Sequence, residues 1–248
     1  MKPENIITTR TNKVIYRDGN TAVKLFEEGY SLADILNEAH NHAIVEETGF
    51  PIPPLESVAK INGRWAIITR FIEGKTLAQM MEENPANADA CLKRMVEVQL
   101  AMHSYSAGKL RHLTDKMYER IGLSGLSHAV QFELHARLGS LPRHLKLCHG
   151  DMNPGNIIIT EDNKAFVLDW AHATQGNASA DAARTYLLFC LEGNNERAEK
   201  YMALFCEKTG CDMDYVQKWL PIVAASHLVK GQPVEREFLV RWTNVVAY

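Results

Sequence analysis

The chain has 248 residues, of which 46% are hydrophobic and 23% charged, with a formal net charge of −3. That length and balance suit a folded protein with a substantial core, and the small negative charge gives no reason to expect a nucleic acid or an anionic membrane as partner. No apolar run reaches membrane-spanning length, and the mixed polar start from Met1 to Arg10 has no apolar signal-like core, so a cytoplasmic location is expected.

Short strands are expected at 5–9 and 12–17, followed by the turn Arg17-Asp18-Gly19-Asn20, whose Asp-Gly centre is a strong hairpin signal. A third strand, 21–26, alternates Ala22, Lys24 and Phe26 on one face with Val23 and Leu25 on the other. On the residues alone, Lys24 reads as an edge or solvent-facing lysine. From Tyr30 to Glu47, Leu32, Ile35, Leu36, Ala39 and Ala43 recur at helical spacing behind a Ser31 N-cap. Gly49, Pro51, Pro53 and Pro54 stop that helix. Glu38 flanks its apolar stripe, either as a solvated helix charge or as a partner for Lys24. Strands at 55–60 and 65–71, joined through Asn62-Gly63, complete a compact α+β region.

Ile72-Glu73-Gly74-Lys75 then breaks the pattern. Beyond it helices are expected at 76–83, 89–105, 116–120, 127–138, 179–191, 195–208, 214–229 and 234–246. The change of pattern divides the chain into a lobe of residues 1–73 and a lobe of residues 74–248. The five cysteines, Cys91, Cys148, Cys190, Cys206 and Cys211, are scattered without a C-x-x-C pair, which favours reduced thiols over disulfides or zinc. His40 and His42, two positions apart on a helix, diverge rather than face one ion.

One stretch interrupts the helices. An apolar run, Leu145 to Cys148, leads into His149-Gly150-Asp151-Met152-Asn153-Pro154-Gly155-Asn156. Ile157 to Thr160 and Ala165 to Leu168, joined by the polar turn Glu161 to Lys164, read as a hairpin that delivers Asp169-Trp170. Hairpin strands lie side by side, so Asp151, Asn156 and Asp169 can converge although they are distant in sequence. An amide and a carboxylate beside a second, free carboxylate suit phosphoryl transfer. Hard-oxygen groups hold Mg²⁺ on the nucleotide phosphates, and the free Asp accepts a proton from the attacking hydroxyl. The plainer reading of the same residues is a surface loop whose acids cap and turn.

The spacing His149-x-Asp151-x-x-x-x-Asn156 followed by Asp169 resembles the catalytic and metal motifs of eukaryotic-like kinases. The wording HGDMNPGN with VLDW resembles the aminoglycoside phosphotransferase and choline kinase branch more than protein kinases, and Gly176 to Arg184, where Asp181 caps or anchors the next helix, fits it too. The resemblance implies an α+β, bilobal protein-kinase-like fold, with a small five-stranded antiparallel N-lobe holding one helix and a larger, mainly helical C-lobe containing the hairpin. It implies that Asp151 positions and deprotonates the substrate hydroxyl, and that Asn156 and Asp169 coordinate Mg²⁺. Lys24, held by Glu38, would contact the α- and β-phosphates. His149 would anchor the loop and Gly150 permit its tight backbone. Aligned on Glu73-Gly74, the backbone of Arg70 and Ile72 would face the adenine edge, with Thr69 behind. ATP is the default nucleotide and GTP the other candidate.

Two departures matter. Relatives usually carry a glycine in the phosphate loop, whereas Thr8-Thr9-Arg10-Thr11-Asn12-Lys13 has none; Thr9, Thr11 or Asn12 could supply side-chain donors instead. Asn153 stands where protein kinases carry a lysine, which favours a small-molecule acceptor. The expected function is therefore ATP- and Mg²⁺-dependent transfer of the γ-phosphate to a hydroxyl of a small molecule. The alternative is a nucleotide-binding pseudokinase or regulatory scaffold, motivated by the glycine-free loop alone. Residues 177–248 carry 9 acidic and 8 basic side chains, so they offer no acidic excess for a polycationic aminoglycoside, and another metabolite is the expected acceptor. No protein partner is implied.

Overall fold

The computed structural model describes residues 5–10, 12–229 and 233–243. In chain order the first elements are β1 (Ile6–Arg10), β2 (Lys13–Asp18), β3 (Thr21–Phe26), α1 (Leu32–Glu47), β4 (Leu55–Ile61) and β5 (Arg64–Arg70). Next come β6 (Lys75–Thr76), α2 (Leu77–Glu83), α3 (Ala88–Met102), α4 (Leu113–Gly122), α5 (His128–Ser140), β7 (Lys146–Cys148), β8 (Ile157–Ile159), β9 (Ala165–Val167) and β10 (Thr174–Gly176). The chain closes with α6 (Ala178–Leu191), α7 (Asn195–Thr209), α8 (Met213–Gln217), α9 (Leu220–His227) and α10 (Pro233–Trp242). They form two compact units, Met1–Ala88 with Pro154–His172, and Asp89–Asn153 with Ala173–Tyr248.

In the first unit five antiparallel strands lie in the order β1-β2-β3-β5-β4. Both hairpin turns adopt the left-handed backbone their residues invite: Gly19 has φ 57°, and Asn62 and Gly63 have 50° and 83°. Helix α1 is capped by the Ser31 hydroxyl, which accepts the Asp34 N–H. Its apolar stripe packs on the sheet through Phe26, Ile35, Ala39 and Ile67, while Val23, Leu25 and Ala66 form a second cluster from the opposite alternation. β3 is thus a central strand, and Lys24 shares the α1-facing side with Phe26. The edge reading of Lys24 gives way because a central strand has no solvated edge. Short strands β6, β8 and β9 make a separate sheet, in which Ile157 pairs with Val167 and Thr76 with Ile158. Pairing with β6 keeps the hairpin in this unit. At Gly74 (φ 156°) an added Cβ would stand 2.4 Å from the Ile159 carbonyl oxygen, so only glycine fits.

The second unit is built on α6, which packs against α7, α8 and α9 and buries residues on nearly every side, among them Ala182, Leu187 and Phe189. Trp219, Tyr201 and Met102 fill the surrounding core. Strands β7 and β10 pair antiparallel beneath the start of α6. The helix expected over 214–229 is divided into α8 and α9. Pro221 in the first turn of α9 has no N–H to give, so the ladder restarts at Trp219, whose carbonyl accepts the Val223 N–H at 2.8 Å. The end of the expected helix 234–246 lies outside the described residues from 244 onward. Among the described residues no helix is long and apolar enough to cross a membrane.

Candidate active site

Lys24 reaches from mid-β3 to Glu38 on α1, with which it forms an ion pair and hydrogen bond, and to Asp169 Oδ1 at 3.0 Å. Lys13, the first residue of β2, holds the other oxygen, Oδ2, at 3.2 Å. The Lys24 and Glu38 side chains are 12% and 11% exposed, so this is a half-sealed charge cluster rather than a surface pair. Burial by itself pulls the Lys24 ammonium down and pushes the Asp169 carboxyl up. Their mutual charges, with Glu38 and Lys13, outweigh burial and hold Lys24 above its ordinary value and Asp169 well below the carboxylate range.

Asp169 follows β9 in a left-handed backbone conformation, φ 62°, one that Asp tolerates better than most residues and that turns its carboxylate out of the hairpin. The Leu168 N–H donates to the Asn156 carbonyl at 2.8 Å, so the register that pairs Ile157 with Val167 extends one step and sets Asn156 opposite Leu168, the residue before Asp169. Trp170 is fully buried. Its indole N–H donates to Val167 O at 3.1 Å, its ring meets Phe50 edge-on at 5.9 Å, and its carbonyl accepts from Asn41 Nδ2 at 3.3 Å. Asn41 lies on α1 less than one turn beyond Glu38, so the helix holds the Asp169 loop directly through Asn41 and, by way of Lys24, through Glu38. Among the described residues no three His, Cys, Asp or Glu groups cluster as a metal cage. One carboxylate and one amide instead fit a hard cation that brings phosphates and water as its other ligands.

Asp151 lies in the second unit, on a loop suspended from α6. Gly150, at φ 79°, donates its N–H to Asp181 Oδ1 at 2.7 Å. Asp181 Oδ2 meets His103 Nε2 at 2.9 Å and accepts from Gln99 Nε2 at 3.1 Å. One turn on, the Thr185 hydroxyl donates to Met152 O at 3.2 Å. Burial pushes the Asp181 carboxyl up, but the hydrogen bonds from His103 and the Gly150 N–H prevail and its pKa lies below the ordinary value. Within the loop the Asp151 N–H donates to His149 Nδ1 at 3.1 Å, and Asn153 Nδ2 to Asp151 O at 3.0 Å. The Asp151 side chain is 30% exposed, with Arg184 Nη2 3.9 Å from its Oδ1.

Lys24, Glu38 and Asp169 are therefore brought together, while Asn156 is placed by its backbone opposite Leu168. Arg70 ends β5, with Ile72 two residues on; its guanidinium pairs with the exposed Glu56 at 3.1 Å. Asn12 is exposed in the β1–β2 connection, where its carbonyl accepts the Glu27 N–H at 2.9 Å, and Thr11 lies outside the described residues. Pairing of Arg10 with Lys13 reduces that connection to two residues. Lys13, Thr185, Gln99 and His103 were not foreseen. The last three had a signal: Gln99/His103 and Asp181/Thr185 are polar pairs at i, i+4 on otherwise apolar helix faces.

The model of the phosphotransferase enzyme family (APH) matches residues 7–215. Solved structures agree at the level of fold. Aminoglycoside phosphotransferase APH(4)-Ia, as a thermostable mutant in a ternary complex with AMP-PNP and hygromycin B, superposes with a TM-score of 0.69 at 13% identity, over 96% of this chain and 91% of that one. Choline kinase LicA from Streptococcus pneumoniae gives 0.62 at 12% identity, over 96% and 94%. ADP-bound aminoglycoside phosphotransferase APH(2'')-Ib gives 0.61 at 15%, over 98% and 92%. No curated protein matches the chain. With its protein-kinase-like fold and with most of its length under the family model, the chain belongs to the phosphotransferase enzyme family.

Proposed function

We propose that the protein transfers the γ-phosphate of ATP, bound with Mg²⁺, to a hydroxyl of a small molecule. The observation that carries this reading is the charge cluster of Lys13, Lys24, Glu38 and Asp169. Two ammonium groups facing one carboxylate match a nucleotide polyphosphate and the cation that neutralises it. Glu38 holds Lys24 against the pull of the phosphates, and Asp169 with the Asn156 amide would hold the cation. Mg²⁺ would supply charge neutralisation across the β- and γ-phosphates. Asp151 would accept the acceptor's proton, a contribution on the order of 10²–10⁴-fold. Lys13 supplies from a side chain part of the grip that a glycine loop supplies from backbone N–H groups, which weakens the motive for the scaffold reading. The hinge backbone of Arg70 and Ile72 would take the adenine edge. AMP-PNP in the APH(4)-Ia crystal and ADP in that of APH(2'')-Ib favour ATP as the donor. Five free thiols suit a reducing, cytoplasmic setting.

The test is Mg²⁺-ATP turnover across hydroxylated metabolites and antibiotics, with Asp169→Ala and Asp151→Asn as controls. Turnover abolished by both substitutions is expected. Tight nucleotide binding without turnover on any acceptor would sink the enzyme reading in favour of a scaffold.

A further inference from the structure

Arg184 lies on α6, three residues after Asp181 and in the unit that carries Asp151; its side chain is 13% exposed. Nη2 stands 3.9 Å from Asp151 Oδ1, beyond hydrogen-bonding reach. Nε and Nη1 are buried and have no hydrogen-bond partner among the described residues. A guanidinium carries five N–H donors, and burying it so incompletely paired is costly. Burial draws its pKa down to about 10, opposed by Asp151 and Glu235 and reinforced by Arg120. It remains a cation at neutral pH. Arg120 of α4 is half-buried too, and its own pKa is lowered by burial. Of the other carboxylates that act on Arg184, Asp181 is already committed to Gly150, His103 and Gln99. Arg184 thus stands beside Asp151 with donors to spare.

Resting on the phosphotransferase reading above, we propose that Arg184 binds an anionic group of the acceptor, carried a few bonds from the hydroxyl that is phosphorylated. Asp151 takes the hydroxyl proton while the Arg184 fork takes the anion, a pairing that suits the planar geometry of carboxylate or phosphate oxygens. The same buried cation repels a quaternary amine or a polycationic antibiotic, which would set this site apart from those of a choline kinase or of an enzyme crystallised with hygromycin B.

The test uses the full chain with Mg²⁺-ATP and matched hydroxyl compounds: glycerate and gluconate, glycerol and glucose, choline and kanamycin. Transfer is read as ADP release and binding as a rise in melting temperature. Both should concentrate on the anionic compounds. Arg184→Gln should raise KM for the best of them roughly 10- to 100-fold, as expected for the loss of a charged hydrogen-bond pair. Arg184→Lys, which keeps the charge but not the fork, should fall between and guards against a folding defect in the first variant. The proposal is overturned if neutral or cationic compounds are the better acceptors, or if Arg184→Gln leaves KM for the anion unchanged. Either result leaves the phosphotransferase reading intact. If no compound is phosphorylated, that reading is the one in doubt, and the melting data decide the anion site. Stabilisation by the anions that Arg184→Gln removes supports it, and its absence refutes it.

Discussion

Lys13 and Lys24 divide one carboxylate between them, and their positions predict unequal roles. Lys24 is in mid-strand and doubly paired, so Lys24→Ala should remove turnover almost completely. Lys13 is 23% exposed and singly paired. Lys13→Ala should raise KM for ATP by roughly tenfold, about 1.4 kcal/mol, with a smaller effect on kcat in steady-state assays. Glu38→Gln leaves Lys24 with Asp169 as its second partner. Its unfolding free energy in urea should therefore drop by less than the about 3–5 kcal/mol that an orphaned buried charge costs. The pH dependence has a definite sign. The folded-state pKa of Asp169 is depressed, so its contribution is present above the unfolded value near about 3.9 and is lost as the medium acidifies below it. The folded-state pKa of Lys24 is raised, so its contribution is complete below about 10.4 and is lost only on the alkaline side. Between those limits the stability difference between wild type and Asp169→Asn should be flat. A difference that changes between pH 5 and 9 would contradict the pairing.

At the scale of elements, the loop carrying Asp151 is held by α6 through two side chains one turn apart. Thr185→Val leaves the buried Met152 carbonyl without this donor and should cost about 1–3 kcal/mol in chemical denaturation. Because the change reaches the chemistry only through the loop backbone, kcat should fall while KM for ATP stays close to wild type. Gly74→Ala acts on a different element. The methyl group would collide with the Ile159 carbonyl and separate β6 from β8, so a loss of stability without a change in acceptor preference is expected.

For the molecule as a whole, nucleotide binding should appear as stabilisation. At one hundred times Kd, Mg²⁺-AMP-PNP contributes about 2.7 kcal/mol, or a rise in melting temperature of roughly 5–10 °C for a chain of this size. Asp169→Asn should lose most of that rise. Much of this organisation was legible in the sequence because local rules and tertiary structure agree. Asp18-Gly19 and Asn62-Gly63 make turns wherever they join two strands, and HGDMNPGN followed by VLDW carries its own hairpin. Other features were silent for physical reasons. A lysine opening a strand or an arginine on a helix is solvated by default, so Lys13 and Arg184 gained meaning only when folding buried them. The break at Pro221 lies inside an apolar run whose periodicity continues across it. Strands of two or three residues, such as β6, β7 and β10, are too short to show a period at all.

The sharing of Asp169 has one more consequence, on the order in which ligands arrive. Both carboxylate oxygens already have counterions built into the fold. A lone divalent ion would have to displace two tethered ammonium groups and leave them stranded, so Mg²⁺ alone should not shift the melting curve. A nucleotide that brings the ion along offers the lysines its own oxygens in exchange, and charge is traded without any group being left bare. On the proposed function the resting protein is therefore insulated against idle metal uptake, and the metal–nucleotide complex, rather than either part, is the species it is built to admit.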